Sequence, residues 1–148
     1  MKIKIDTTKI SLGFLCPIIL AIAQTSAFAA DQPAFTLSKD IQARVTKGDK
    51  PIIRVSYHDV SNEFAPFIKK GVEKAAADFN ADAQLVGPVG ADAEKQVAEI
   101  ESLIQKGVDG LAVSSVSTDA LAPIIQRALA QGIPVVTFNT DNPTSPGE

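Results

Sequence analysis

Residues 110–138 read GLAVSSVSTDALAPIIQRALAQGIPVVTF, and this stretch decides the fold. Gly110-Leu111-Ala112-Val113-Ser114 is a short apolar run, the pattern of a buried strand. Leu121, Ile124, Ile125, Ala128 and Leu129 then recur at spacings of three and four, which places them along one face of a helix. Thr118 or Asp119 is expected to cap that helix, because a side-chain oxygen there can accept the free N–H groups of the first turn. Gly132 stops it, and Ile133-Pro134-Val135-Val136-Thr137-Phe138 is a second apolar strand. Strand, crossover helix and strand in so short a span make a right-handed βαβ unit, with the two strands parallel.

The same alternation continues toward the N-terminus. Asp92 to Lys106 carries Val97, Ile100, Leu103 and Ile104 on one helical face, with Gly107 as its stop. Gln84-Leu85-Val86 is a weaker strand closed by Gly87-Pro88, a turn rather than a phosphate cradle because Pro88 lacks an N–H. Ser61 and Asn62 are cap-type residues ahead of Phe64, Phe67, Ile68, Val72, Ala75, Ala76 and Phe79, a helical stripe expected to lie against a sheet. Ile52 to Tyr57 is rich in β-branched residues and forms the first strand. Strand starts fall near 52, 84, 110 and 133. The expected architecture is an α/β fold: an open parallel sheet with helices on both faces, strand order 2-1-3-4, and a switch point between strands one and three. Residues 31–50 are polar and read as a leader to this lobe, with Ile41 and Val45 lining a short amphipathic helix.

The first residues have another purpose. Lys2, Lys4 and Lys9 precede a mostly apolar run from Ile10 to Ala23, and Ala27-Phe28-Ala29 places small residues at a cleavage site. That is the pattern of a secretory signal peptide, and the run is too short to span a bilayer, which needs about 20 apolar residues. Cys16 sits inside the run after Leu15, unlike a lipidated cysteine. The expected organisation is a signal peptide over 1–29, a leader over 30–50 and a lobe over 51–148, destined for the periplasm and not embedded in the membrane. Residues 1–29 hold three lysines and one aspartate, so their removal takes the net charge from −3 to −5. An acidic chain is a poor partner for nucleic acid. One Cys and one His exclude a disulfide framework and a Cys/His zinc cluster, and no cofactor is expected.

In open parallel sheets, ligands bind outside the carboxyl ends of the strands at the switch point. The segments there are Tyr57–Asn62, Ser114–Thr118 and Asn139–Asn142, dense in side-chain donors and acceptors and together a polar, neutral-to-acidic rim. Ser115, Asn139, Thr140 and Asp141 belong to this rim, as do Asn62 and, in the first helical turn, Phe64, which serves either the core or a ligand. Planar amides with an aromatic plate suit a sugar, whose hydroxyls ring an apolar C–H face. His58-Asp59 is the one place for histidine acid–base chemistry, but neighbours on a strand point to opposite faces. Asp59, Asp119 and Asp141 hold a cation only if the fold gathers them, and Asp119 has a local job as a helix cap.

Four stretches in order resemble the periplasmic sugar-binding proteins of ABC importers, the ribose/galactose type that includes rhamnose and autoinducer-2 binders. Val60-Ser61-Asn62-Glu63-Phe64 resembles the segment after their first strand, and QVAEIESLIQKGVD (96–109) their second helix and turn. AVSSVSTDAL (112–121) resembles their third strand and capped helix, and GIPVVTFNTD (132–141) their fourth strand and ligand loop. The resemblance implies that Asn62, Phe64 and Asn139 face a ligand and that the Ser114–Ser117 loop lines the site. Ala65 stands where some members have a second aromatic residue, and Thr140 where some carry Arg or Lys. It also implies a sugar as ligand, a membrane permease as partner, and a second lobe. Because this sequence stops after the fourth strand, the expectation is a one-sided and therefore weak grip, with an uncovered sheet edge. Alternative readings are a periplasmic sensor feeding a chemoreceptor or sensor kinase, and an exported α/β hydrolase using His58 and Asp59.

Overall fold

The computed structural model describes residues 35–140. The segment over residues 1–29, read above as a signal peptide, and Asp141 lie outside the described residues. The element order is α1 (Lys39–Lys47), β1 (Ile52–Ser56), α2 (Ala65–Asp78), β2 (Asp82–Val86), α3 (Ala93–Lys106), β3 (Gly110–Val113), α4 (Thr118–Ala130) and β4 (Val135–Thr137). The four strands are parallel in the order β2-β1-β3-β4, so the chain reverses its direction of winding between β1 and β3.

Register assigns the two faces. Ser56 pairs with Val113 and Val113 with Thr137; Arg54 pairs with Leu111 and Leu111 with Val135. Paired residues of parallel strands share a face. Leu111, Val113 and Val135 are buried, and they join Ile100, Leu103 and Ile104 of α3 and Leu121, Ile124, Ile125 and Ala128 of α4 in one core. Helix boundaries follow their chemistry. Asp92 caps α3 by accepting the Lys95 N–H, and Gly107 ends it in the left-handed region at φ 79°. The cap of α4 is Ser117, whose hydroxyl accepts the Ala120 N–H, and not Thr118 or Asp119. Both of those already lie in the first helical turn, one step too late to reach back to the free amides.

Two expectations change. The segment before β1 is more than a leader: Ile41 of α1 enters the core, although Val45 stays exposed. Arg44 binds the carboxylate of Asp109, which also accepts the Ile52 N–H at 2.7 Å, and Ser38 donates to the Gly132 carbonyl at 3.0 Å. These contacts tie α1 to the start of β1, the start of β3 and the α4–β4 turn. The aromatic stripe of α2 is the second change. Phe64, Phe67 and Phe79 are 71%, 74% and 79% exposed. At 100° per residue, only Ala65, Ile68, Val72 and Ala76 line up toward the sheet. These four are buried or half-buried. α2 packs over β2. The rest of that sheet face, Ile53, Val55, Ala112 and Val136, is half-buried to exposed.

Candidate functional site

The polar rim forms where β1, β3 and β4 end. Tyr57 follows β1 and is buried, its ring 4.3 Å from that of His58 and stacked on Phe138 at 6.3 Å between centroids. His58 Nδ1 lies 2.8 Å from the buried Ser114 Oγ. Ser114 Oγ also meets Thr140 Oγ1 at 2.8 Å and accepts from Asn139 Nδ2 at 3.2 Å. Thr140 Oγ1 donates to the Ser115 carbonyl at 2.9 Å. Five residues from three loops thus share one hydrogen-bonded network. Asn139 adopts φ 61°, a left-handed conformation that asparagine tolerates better than most residues, and this turn brings its amide onto Ser114.

Ser115 is buried, and its hydroxyl has no hydrogen-bond partner among the described residues. Such orphans are uncommon in folded proteins and mark positions worth a functional reading. Asn62 sits at the same strand ends but spends most of its amide locally. Its Oδ1 accepts from the Phe64 and Ala65 N–H groups at 3.0 Å each, which caps the entry to α2, and its Nδ2 donates to the Tyr57 hydroxyl at 3.1 Å. One amide hydrogen is left for a ligand. Phe64 is a surface ring rather than a core residue.

The hydrolase reading fails on geometry. Asp59 Oδ1 accepts from the Ser61 N–H, the Ser61 hydroxyl and the Gly90 N–H, which staples the β1 loop to the β2 loop. The Ser61 hydroxyl bond, followed by the Ser61 amide bond, holds the Asp59 carboxyl below its ordinary value, so it is charged and occupied. His58 turns its Nδ1 to Ser114 instead.

The residue that sequence reasoning passed over is Gln96. It is fully buried on α3, donates to the Ser114 carbonyl at 2.9 Å and to Ser56 Oγ at 3.2 Å, and accepts the Val116 N–H at 2.9 Å. It fixes the Ser114–Val116 backbone on which the rim rests. The available clue was a polar residue one turn before Ile100 on an otherwise apolar stripe.

A cleft of about 390 Å³ opens beside the end of β2, with Val60, Ala65, Pro66, Leu85 and Val86 as its apolar walls and Lys69 and Glu99 among its lining. Burial pushes the Glu99 carboxyl above its ordinary 4.5, partly offset by a hydrogen bond from the Gly87 N–H. A raised folded-state value means a contribution present below the unfolded value and lost as pH rises through the folded one. Glu99→Gln is therefore expected to raise the melting temperature at pH 7 and to give no gain at about pH 3.5, where the wild-type carboxyl is itself neutral. Melts at the two pH values check this; an equal gain at both would rule out the burial penalty.

Comparison with known proteins gives this geometry its context. The family model described as "Periplasmic binding protein domain" matches residues 53–147, more than half of the chain. The chain belongs to the periplasmic binding protein domain family. It is 34% identical over 87 residues to the ribose import binding protein of Bacillus subtilis, covering 59% of this chain and 28% of that protein. It is 32% identical over 87 residues to the xylose/arabinose-binding protein of Sulfolobus acidocaldarius, covering 59% of this chain and 22% of that one. Among solved structures, it is similar to an ABC transporter solute binding protein from Burkholderia graminis in complex with D-arabinose, with TM-score 0.61, 31% identity, and coverage of 66% of this chain and 34% of that one. A glucose-galactose binding protein from Geobacillus stearothermophilus gives TM-score 0.61 at 25% identity, covering 67% and 36%. The chain thus spans roughly a quarter to a third of the length of the proteins it matches. These relatives are substrate-binding proteins and not enzymes. The parallel α/β lobe with strand order β2-β1-β3-β4 is the fold that these binding proteins share over the matched part. Among the described residues, no helix is long and apolar enough to cross a membrane.

Proposed function

We propose that this chain contributes one face of a binding site for a small neutral sugar in the periplasm, and that the sugar passes from it to the permease of an ABC importer. Asn139, Thr140, Ser115, Asn62, Phe64 and Asp141 are the residues assigned to the ligand, and residues 1–29 to export. The observation that carries the reading is the network at the ends of β1, β3 and β4: uncharged hydroxyl and amide groups, one buried orphan hydroxyl, and a nearby carboxylate already engaged elsewhere. Such groups exchange hydrogen bonds with sugar hydroxyls, whereas an anionic ligand would call for a cation. Thr140, standing where some relatives of this type carry Arg or Lys, favours a sugar that needs no charged contact.

Ligand-observed NMR of the purified chain with D-ribose, D-xylose, D-arabinose and D-galactose tests this. At least one aldose is expected to bind, weakly, because a single lobe buries less of the ligand than an enclosing site does. Asn139→Ala is expected to weaken that binding about fivefold, the worth of one neutral hydrogen bond of about 1 kcal/mol. Absence of binding by all four sugars, or tighter binding of their acid derivatives, would overturn the reading.

A further inference from the structure

Counting protons in the rim network fixes a feature that the heavy atoms alone leave open. Thr140 Oγ1 lies 2.9 Å from the Ser115 carbonyl oxygen, and a carbonyl can only accept. The single Thr140 hydroxyl proton is therefore committed to that bond. The 2.8 Å contact between Ser114 Oγ and Thr140 Oγ1 must then be filled by the Ser114 proton. Ser114 has no second proton, yet its oxygen sits 2.8 Å from His58 Nδ1. That contact is a hydrogen bond only if the ring supplies the proton. Asn139 Nδ2 donates to the same oxygen at 3.2 Å, which completes the two acceptances and one donation open to a hydroxyl. The longer approach of Asn139 Nδ2 to His58 Nδ1, 3.5 Å, lies at the limit of a hydrogen bond, and the amide proton is better used at Ser114.

We propose that the chain His58 Nδ1–H to Ser114 to Thr140 to the Ser115 carbonyl locks His58 in its Nδ1–H tautomer, so that Nε2 serves as a hydrogen-bond acceptor for a ligand hydroxyl. Which nitrogen carries the proton is set by the bond that the other end of the network makes. The usual preference of a free imidazole in water is the opposite tautomer, so the lock has a spectroscopic signature of its own. No hydrogen bond reaches Nε2 among the described residues. The acceptor role rests on the sugar-binding reading above; the tautomer does not. A sugar carries hydroxyl donors, and the side-chain amide nitrogens of Asn62 and Asn139 offer only donors in return. His58 supplies an acceptor that selects for a hydroxyl over a group without a proton at that point.

His58 is the single histidine of the chain, so its ring nitrogens give unambiguous resonances. Long-range proton–nitrogen correlation on the nitrogen-15-labelled chain, at alkaline pH, reads the tautomer directly. The expected result is a protonated Nδ1 and an unprotonated Nε2, reverting toward the Nε2–H form in Ser114→Ala. An Nε2–H ring in the wild type, or an unchanged ring in Ser114→Ala, would overturn the lock. Addition of D-ribose is expected to move the Nε2 resonance while Nδ1 stays protonated. Movement of the Asn139 amide without Nε2 would leave sugar binding standing and remove the acceptor role. No movement of any rim resonance, with D-ribose or with the other three aldoses, would remove both the sugar reading and the acceptor role, while the ligand-free spectrum still decides the tautomer.

Discussion

Gly87→Ala is expected to cost about 3–5 kcal/mol of stability, the sum of a forced overlap and a backbone angle that L side chains rarely adopt. Gly87 stands at the end of β2 with φ 152°, and a Cβ built there would lie 2.1 Å from the Tyr57 carbonyl oxygen and 2.9 Å from Val60 Cγ1. Neither neighbour can yield cheaply. The Tyr57 N–H is bonded to the Val86 carbonyl at 2.9 Å and the Val60 N–H to the Pro88 carbonyl at 3.0 Å, so the two loops are laced together by backbone. Small domains are stable by only about 5–15 kcal/mol, so a loss of this size brings the variant close to unfolding. Gly71→Ala is the matched control. Gly71 lies inside α2 with nothing within 4 Å of a built Cβ, and alanine there should stabilise by about 0.5–1 kcal/mol. Urea melts of the two variants should therefore move in opposite directions. A Gly87→Ala protein as stable as the wild type would mean that the two loops are not packed this closely.

Gln96→Leu is expected to cost about 3 kcal/mol, because a buried carbonyl and a half-buried N–H would lose their partners, at about 1–3 kcal/mol for a fully buried group. Leucine matches the bulk of the amide but offers nothing to the Ser114 carbonyl or the Val116 N–H. The second consequence distinguishes this from a simple core lesion. The Ser114–Val116 backbone carries the Ser114 hydroxyl that organises His58, Asn139 and Thr140. Loosening it should disperse the rim network and weaken sugar binding beyond the loss of stability. Hydrogen exchange at Val116 reads the effect locally: its amide should lose protection in Gln96→Leu and keep it in Ile100→Val, a neighbouring core change of about 0.5–1.5 kcal/mol. Retained protection at Val116 in Gln96→Leu would remove Gln96 from its positioning role.

The fold and the rim were legible to different degrees. β-branched runs, helical spacings and stop residues are local properties, and they located each of the four strands to within two residues of its start. The order β2-β1-β3-β4 is the one expected for an open, doubly wound sheet with its switch point between strands one and three, and it is the order found. The ends of the strands, and so the segments of the rim, came with the topology. Asn139 and Thr140 were found there because uncharged polar residues cluster after the fourth strand. What the pattern could not assign was how each polar group is used. Asn62 reads equally as a cap or a ligand contact, and the structure has it capping α2 and holding Tyr57. Gln96 sat within a recognised helix without a stated task, because its partners are 18 to 40 residues away in the chain.

The aromatic stripe of α2 and the segment before β1 make the same point in opposite senses. A spacing of three and four placed Phe64, Phe67 and Phe79 on a face to be buried, yet they are solvent-facing, because a helix can turn only a narrow line of its surface toward one strand. Residues 31–50 seemed too polar to join a core, yet Ile41 enters it and Arg44 finds Asp109 across a gap of 65 residues. The amino-acid sequence by itself determined the parallel α/β lobe and the end of the sheet where polar groups gather, since these depend on periodicity and on the regular alternation of strand and helix, and the doubly wound strand order came with that fold class. Only the tertiary structure decided which of those groups bond to one another, which aromatic rings reach water and which glutamine is buried, since each is settled by neighbours that are distant in the chain.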